Sequence, residues 1–109
     1  MANIVIARYW VTPGNEPAFV QLLAAHGPTL RRLGLATSFP TQVYRGAEKD
    51  GTPYFVEIFE WRDEEAVRIA HEHPEVAAVW ERMGPLVAER DGQKRWEFPH
   101  VDPVDVQGG

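Results

Sequence analysis

The sequence predicts an α+β fold in which helices pack on one face of a four-stranded antiparallel sheet. Three observations support this prediction. Two segments rich in β-branched and aromatic residues, 3–11 and 53–61, have the composition of strands. A longer segment with apolar residues at helical spacing follows each of them. The 109 residues are enough for one compact domain with its own core.

The first half of the chain reads as strand, helix, strand. Residues 3–11 form the first strand, and helical spacing begins after Asn15, a typical N-cap residue. At Pro28 we expect the helix to break or kink, because a proline inside a helix removes a hydrogen bond. Residues 36–47 form a weaker strand, and Pro40 within it is typical of an edge strand.

The second half adds a strand, a helical region in two pieces and a short last strand. Residues 53–61, PYFVEIFEW, form the strongest strand, and Asp63 is expected to cap the next helix. Helical spacing continues as far as Gly84-Pro85, where we expect a bend. With a last strand at residues 94–98, the order is βαββαβ, the ferredoxin-like arrangement. In it the first and third strands are the central, neighbouring pair.

We place one ferredoxin-like domain at residues 1–99 and treat residues 100–109, HVDPVDVQGG, as a polar, proline-bearing tail. The hydrophobic fraction of 44% and the charged fraction of 25% are those of an ordinary globular protein. A formal net charge of -5 without a basic run disfavours nucleic acid as a partner. The chain has no cysteine, which excludes disulfides, thiolate metal sites and a cysteine nucleophile.

Targeting and membrane segments are also not expected. The first residues lack the pattern of a secretory signal, and no apolar stretch approaches the roughly 20 residues that a membrane span needs. We therefore expect a cytoplasmic protein with no membrane partner.

Both faces of the two central strands are apolar. Because successive side chains of a strand point to opposite faces, Tyr54, Val56 and Ile58 share one face of the third strand. The helices can cover only one face, so the other would be an exposed apolar patch of several hundred Å². We therefore expect a homodimer in which two sheets lie face to face.

Each central strand carries one charged residue in its middle, Arg8 and Glu57. We expect both to lie on the face between the subunits, where an ion pair between the strands is the more common arrangement. The alternative is a cavity for a small aromatic ligand, since such sites combine apolar walls with a few polar groups. The candidate substrate-binding residues are then Arg8, Trp10, Phe55, Glu57, Phe59 and Trp61.

The segment IAHEHPEV, residues 69–76, contains His71 and His73. Two helical residues at this spacing point about 200° apart, so the imidazoles diverge and we predict no metal site. Pro74 disfavours a helical conformation for His73 and ends the helix. His71 is then either a cap at the helix C-terminus or an acid–base group that faces a ligand. Trp80 lies on the apolar stripe of the next helix, and we expect it in the core.

The run YFVEIFEWRDEEAVRIAHEHPEV resembles the antibiotic biosynthesis monooxygenase (ABM) group of the dimeric α/β-barrel superfamily. The shared pattern is a strand ending in Glu60-Trp61, an acidic helix cap, Ala66 and then His71. The resemblance covers residues 3–99 in element order. It implies a homodimer whose sheets close into a barrel with one pocket in each subunit. It also implies oxidation of an aromatic, polyketide-like or quinol substrate by molecular oxygen without a cofactor, and His71 is the first candidate for the base.

Other functions occur on the same scaffold. Heme-degrading members carry a tryptophan about where this chain has His71, and a heme-ligating histidine further along, near Glu81 here. These departures lead us to expect no heme. Two alternatives to a monooxygenase remain. One is a non-catalytic dimer that binds a small aromatic ligand or stabilises an assembly, and the other is an isomerase or cyclase that uses an acid–base pair without oxygen.

Overall fold

A computed structural model describes residues 3–107 and shows the predicted succession of strands and helices. The main elements are β1 (Ile4–Trp10), α1 (Glu16–Arg32), β2 (Gln42–Ala47), β3 (Pro53–Glu60), α2 (Glu64–Glu72) and α3 (Pro74–Met83). A 3-10 turn (Gly84–Leu86) and four two-residue strands follow: β4 (Glu89–Arg90), β5 (Gln93–Lys94), β6 (Trp96–Glu97) and β7 (His100–Val101).

The sheet has the strand order β2-β3-β1-β6, and β7 also pairs with β1. All of these pairs are antiparallel, and β1 and β3 form the central pair with Ala7 opposite Glu57. This order confirms the ferredoxin-like α+β prediction. Strands β4 and β5 form a separate small hairpin.

Helix α1 runs through Pro28, so the predicted break at this residue is wrong. Pro28 and Ala24, whose carbonyl the missing N–H would have bonded, both lie on the exposed side of the helix, where water can reach that carbonyl. On the opposite side, Phe19 and Leu30 are fully buried on either side of the proline. Burial of this continuous apolar stripe keeps the helix intact.

The end of α1 follows a glycine-dependent motif. Gly34 has a φ of +73°, and its N–H bonds to the carbonyl of Arg31 at 3.0 Å. The N–H of Leu35 bonds to the carbonyl of Leu30 at 2.9 Å, which satisfies a second free carbonyl of the last turn. The chain then turns back toward the sheet.

The second strand is shorter than the sequence predicts. Regular pairing begins only at Gln42, and Ala36 forms one isolated bridge with Trp61. Pro40 lies between these two places and cannot donate to a ladder. As predicted, β2 is an edge strand of the sheet.

Side-chain caps mark the beginnings of α2 and α3. Asp63 caps α2 as predicted, because its carboxylate accepts from the N–H of Ala66 at 2.8 Å. His73 ends α2 and begins α3, and its Nδ1 accepts from the N–H of Glu75 at 3.2 Å. None of the helices within residues 3–107 is long and apolar enough to cross a membrane.

The core lies between the helices and one face of the sheet. From β1 this face presents Val5, Ala7 and Tyr9, and from β3 it presents Phe55, Glu57 and Phe59. The opposite face is partly exposed and mostly apolar; its central side chains are Ile4, Ile6, Arg8, Trp10, Tyr54, Val56 and Ile58. The sheet therefore has the two apolar faces that the sequence indicates.

The C-terminal segment extends the sheet. His100 and Val101, which the sequence assigns to the tail, pair with Val5 and Ile4 of β1. Residues 102–107 have no regular secondary structure, and Val104 and Val106 are exposed. The last two residues of the predicted tail lie outside the described part of the chain.

Replacing Pro28 by alanine is expected to stabilise the protein. A proline inside a helix costs about 3 kcal/mol relative to alanine, and alanine gives back about 1 kcal/mol through a more flexible unfolded chain. We expect Pro28→Ala to raise the free energy of unfolding by about 1–2 kcal/mol in urea denaturation. Pro17 lies in the first turn of the same helix, where no hydrogen bond is lost, so Pro17→Ala should give no such gain. Equal effects of the two substitutions would contradict this account.

Candidate active site

A cavity of about 290 Å³ lies between the helices and the helix-facing side of the sheet. This volume is at the small end of the roughly 300–1,000 Å³ that is typical of small-molecule sites. Its walls are aromatic and aliphatic, with histidines at three places. The lining residues are Val5, Tyr9, His26, Phe59, Trp61, Val67, His71, Trp80, Met83, Trp96, Phe98 and His100.

A chain of hydrogen bonds lies in the inner wall of the cavity. The Tyr9 hydroxyl donates to Oε1 of Glu57 at 2.8 Å. Nδ1 of His26 lies 3.0 Å from Oε1 and 2.9 Å from Oε2 of the same carboxylate. Glu57 is 0% exposed and His26 is 2% exposed, and they are the two buried polar or charged residues of the described chain. The carboxylate is thus held by donors from α1 and β1 in a dry interior.

The tautomer of His26 follows from its other neighbour. The indole Nε1 of Trp80 donates to Nε2 of His26 at 3.0 Å. An indole nitrogen only donates, so Nε2 must carry a lone pair, and Nδ1 carries the ring proton. His26 is therefore a neutral imidazole that donates to Glu57. The carboxylate of Glu57 accepts from both His26 and Tyr9.

The hydroxyl of Tyr9 is a donor and not a base. Burial raises the pKa of Tyr9 well above its ordinary value of 10.0, and the charge of Glu57 and the hydrogen bond to it raise it further. The ring also packs against Phe19 at 5.0 Å and against Phe98 at 5.6 Å between centroids. Tyr9 therefore stays protonated near neutral pH and stabilises the negative charge of Glu57.

His71 lies in the last turn of α2 at the mouth of the cavity. Its side chain is exposed, and its ring centroid is 5.0 Å from that of Trp80. The residue lines the cavity and also lies in the last turn of α2, so both roles that the sequence left open stay predictions. His73 lies outside the cavity lining and caps α3, as its sequence context indicates.

Phe59 and Trp61 form part of the cavity wall. Their rings meet edge to face at 5.2 Å between centroids, and Phe59 also meets the His26 ring at 5.6 Å. Phe55 points to the same side of the sheet but stacks on Phe19 at 5.6 Å and does not line the cavity. Glu57 does not line the cavity either, and it contacts it through two lining residues, His26 and Tyr9.

Arg8 and Trp10 lie on the opposite face of the sheet. The register places Ala7 and not Arg8 opposite Glu57, so the expected pairing of Arg8 with Glu57 is wrong. The Arg8 guanidinium lies 4.7 Å from the centroid of the Trp10 ring and 3.4 Å from Oε1 of Glu97. Glu57 was expected on the face between the subunits, because a charged side chain was assumed to avoid the helix-covered face. The structure places it on the helix-covered face, where it is buried. Glu57 tolerates burial because two donors satisfy it.

Several residues of the cavity and of its hydrogen-bond chain were not singled out as site residues from the sequence, among them His26, Tyr9 and Phe98. The signal for His26 was present, since it lies on the apolar stripe of α1 with Leu22, Leu23 and Leu30. A histidine on an apolar helix stripe and a glutamate on an apolar strand face together indicate a buried pair. Trp80 was expected in the core, but its side chain is only half-buried and lines the cavity.

Residues 3–107 contain no group of three or more histidine, aspartate or glutamate side chains placed to hold a metal ion. Among the same residues, every buried side-chain nitrogen or oxygen has a hydrogen-bond partner.

Removal of the buried carboxylate should strongly destabilise the fold. Glu57→Ala leaves the Tyr9 hydroxyl and the His26 N–H without an acceptor in a dry interior, at about 1–3 kcal/mol for each group. We expect the free energy of unfolding to fall by about 3–5 kcal/mol, measured by urea denaturation. Glu97→Ala, at an exposed ion pair, is the matched control and should change it by less than about 0.5 kcal/mol. Equal losses would show that the buried network does not stabilise the fold.

The stabilising contribution of Tyr9 should disappear in alkaline solution. Its pKa is raised in the folded state above the unfolded value of 10.0, so its contribution is complete below about pH 10 and is lost as the pH rises through the folded-state pKa. We expect the difference in unfolding free energy between the natural protein and Tyr9→Phe to be constant near neutral pH. Above about pH 10 it should shrink, and a constant difference at the most alkaline pH at which both proteins fold would contradict this.

Solved structures share this architecture, although no protein-family model and no curated protein matches the sequence. A crystal structure described as an antibiotic biosynthesis monooxygenase has a TM-score of 0.71 at 17% identity, over 96% of this chain and 100% of that chain. Rv0793 from Mycobacterium tuberculosis has a TM-score of 0.69 at 18% identity, over 99% and 100%. SnoaB, a cofactor-independent oxygenase from Streptomyces nogalater, has 0.65 at 16% identity over 100% of both chains. The chain therefore has the fold of the ABM structures, which confirms at the level of the fold the resemblance seen in its sequence.

Proposed function

We propose that this chain is a cofactor-independent monooxygenase that acts on a flat, largely apolar aromatic substrate, such as a quinol or a polyketide-like phenol. The proposal rests on one observation. An aromatic-walled cavity of about 290 Å³ is lined by the neutral imidazole of His26, which is hydrogen-bonded to the buried carboxylate of Glu57. Apolar walls favour a flat ring system, and an oriented imidazole favours removal of a proton. The description of SnoaB as a cofactor-independent oxygenase supports the same chemistry by analogy of fold.

The proposed reaction needs only the substrate, a base and molecular oxygen. A cavity imidazole removes the O–H proton of a phenol or enol, and the negative charge that remains is shared with a ring carbon that carries one hydrogen. This carbon bonds to one atom of O₂, and the peroxide anion takes the proton back from the imidazolium. Loss of the hydrogen of this carbon as a proton, with cleavage of the O–O bond, forms a second carbonyl group and releases water. The substrate is oxidised by four electrons and O₂ is reduced by four, so the reaction balances without an external reductant.

His71 is the base that the sequence resemblance implies. Its exposed ring at the cavity mouth leaves it in contact with solvent. In that place its ring packs on Trp80, with 5.0 Å between the ring centroids. We propose that its part in the reaction is to guide the substrate and to relay protons at the mouth.

We also propose a homodimer, located in the cytoplasm as the sequence indicates. The support for the dimer is the sheet face away from the helices, where Ile6, Val56 and Ile58 are partly exposed at the centre of the two longest strands. Burial of such a face in a two-fold interface removes apolar surface from water.

A second candidate function is a binding module without catalysis. One observation favours it: the Trp80 indole N–H occupies the Nε2 lone pair of His26, so the inner imidazole offers no free base in this conformation. A protein that only sequesters an aromatic ligand needs apolar walls and no accessible base.

Oxygen consumption with a panel of quinols and anthrones separates these two functions. A monooxygenase should consume one O₂ for each molecule of product, and labelled O₂ should place one oxygen atom in the product and one in water. Saturable ligand binding without oxygen uptake would support the binding module instead. Product formation without oxygen uptake would indicate an isomerase or cyclase.

Replacement of His71 tests its role at the mouth. We expect His71→Gln to lower kcat/KM by less than about tenfold, because loss of a base itself costs about 10²–10⁴. Steady-state kinetics with the best substrate of the panel measure the effect. A loss of hundredfold or more would identify His71 as the base that the sequence resemblance implies.

A charge on the open face of the sheet should prevent dimerisation. Ile58 lies at the centre of this face, opposite Ile6 and Gln42, so Ile58→Asp would bring two carboxylates into an apolar interface. Light scattering at micromolar concentration should show a dimer for the natural protein and a monomer for this variant. Val20→Asp on the outside of α1, where the valine is 39% exposed, should remain a dimer. A monomeric natural protein would refute the proposed interface.

A further inference from the structure

We propose that His26 is the proton acceptor of the cavity, and that the Trp80 indole covers it until a substrate hydroxyl takes the place of the indole N–H at Nε2. The inference rests on the proposed function for the reaction, but its binding step can be tested without turnover. It assigns a role to a residue on α1 that neither the sequence pattern nor the family resemblance singled out.

The first support is the way His26 is held. Nδ1 donates to a carboxylate that is fully buried, and the carboxylate is held in turn by the Tyr9 hydroxyl. A base oriented by a third group in this way keeps one nitrogen directed at the substrate, and the negative charge behind it stabilises the imidazolium that forms. When Nε2 takes a proton, the bond between Nδ1 and Glu57 is kept and becomes an ion pair.

The second support is what surrounds the imidazole. Glu57 from β3 is the charged group in contact with it, and Tyr9 from β1 reaches it through that carboxylate. Its other ring contacts in the described chain are with the edge-to-face Phe59 from β3 and with Trp80 from α3. His71 from α2 also contacts the Trp80 ring and is solvent-exposed. A proton that reaches Nε2 is therefore stabilised by one adjacent carboxylate in surroundings that are otherwise largely apolar.

The third support is the position of Trp80. Its Nε1–H donates to Nε2 of His26 at 3.0 Å and so occupies the lone pair with which the imidazole would accept a proton. The side chain is half-buried at the cavity wall, and its ring also lies 5.0 Å from that of His71 between centroids. His26 is 2% exposed and less accessible than this indole, and a ligand takes the place of the indole N–H at Nε2 only if it offers a donor of its own.

This geometry defines a substrate class. The ligand must be flat and apolar, and it must present a phenolic or enolic O–H as a hydrogen-bond donor to Nε2. A methyl ether of the same ring system fills the same space but has no proton to donate, so it cannot replace the indole N–H as the donor to Nε2. Sites built around such a hydrogen bond discriminate strongly against analogues that lack the donor.

Binding of two matched probes under nitrogen tests, without turnover, whether the Trp80 indole covers Nε2 of His26. We expect 1-naphthol to bind at least about tenfold more tightly than 1-methoxynaphthalene, measured by quenching of tryptophan fluorescence. In ¹⁵N–¹H spectra, 1-naphthol should shift the indole N–H signal of Trp80, and 1-methoxynaphthalene should not. Trp80→Phe has no N–H to displace, so it should bind 1-naphthol as tightly as the natural protein or more tightly. Equal affinity for the two probes, or failure of both to bind, would overturn the inference.

Steady-state kinetics test whether His26 is the base. His26→Gln keeps a side chain that can both donate to Glu57 and accept from Trp80, but it cannot take up a proton near neutral pH. We expect kcat to fall by about 10²–10⁴ while KM changes little. His73→Gln, which alters a helix cap outside the cavity, is the matched control and should keep its activity. Unchanged turnover in His26→Gln would also overturn the inference, even if the natural protein is an active monooxygenase.

The two proposals can therefore fail separately. If no member of the quinol and anthrone panel consumes oxygen but 1-naphthol displaces the Trp80 N–H, the proposed reaction is wrong and His26 is the hydroxyl acceptor of a binding site. If the natural protein consumes oxygen and His71→Gln, not His26→Gln, abolishes turnover, the proposed reaction is right and the assignment of the base is wrong.

Discussion

The burial of Glu57 is the constraint on which the rest of this structure depends. A carboxylate with 0% exposure in the centre of a sheet is tolerated only when its oxygens are hydrogen-bonded. Tyr9 and His26 supply the donors, and each comes from a different element. The carboxylate therefore fixes α1 against the two central strands and sets the tautomer of His26, whose second nitrogen then meets Trp80 of α3. One buried charge joins four elements of the fold.

The two faces of the sheet carry different groups. The helix-covered face holds the buried network and the cavity, so everything that could carry chemistry lies on one side. The other face carries Arg8, Trp10 and Tyr54 in a cluster of cation–π contacts, with a mainly aliphatic surface beside it. The ring of Tyr54 lies directly over Gly46 of β2, where a Cβ would approach it to 2.4 Å, so glycine is needed there.

Much of the fold was predictable because it depends on local patterns. Alternation in residues 53–61, the cap at Asp63 and the stop at Pro74 gave β3, α2 and α3 nearly at their observed bounds. The prediction at Pro28 was wrong because local chemistry favours a break there, whereas the apolar stripe that spans it is held by the sheet. The site was only partly predictable. Phe59, Trp61 and His71 line the cavity, but Arg8 and Trp10 lie on the other face of the sheet.

The sequence by itself determined the order of elements, the two-faced central strands and the end of the helix after His71, since each depends on residues that are neighbours in the chain. Only the tertiary structure decided which face of each central strand the helices cover, because strand alternation gives two faces without saying which is inside. That choice buried Glu57 and brought it to His26, 31 residues away in the chain, and brought His26 to Trp80, 54 residues away. Contacts at such separations are set by packing and strand register, and no local pattern in the sequence contains them.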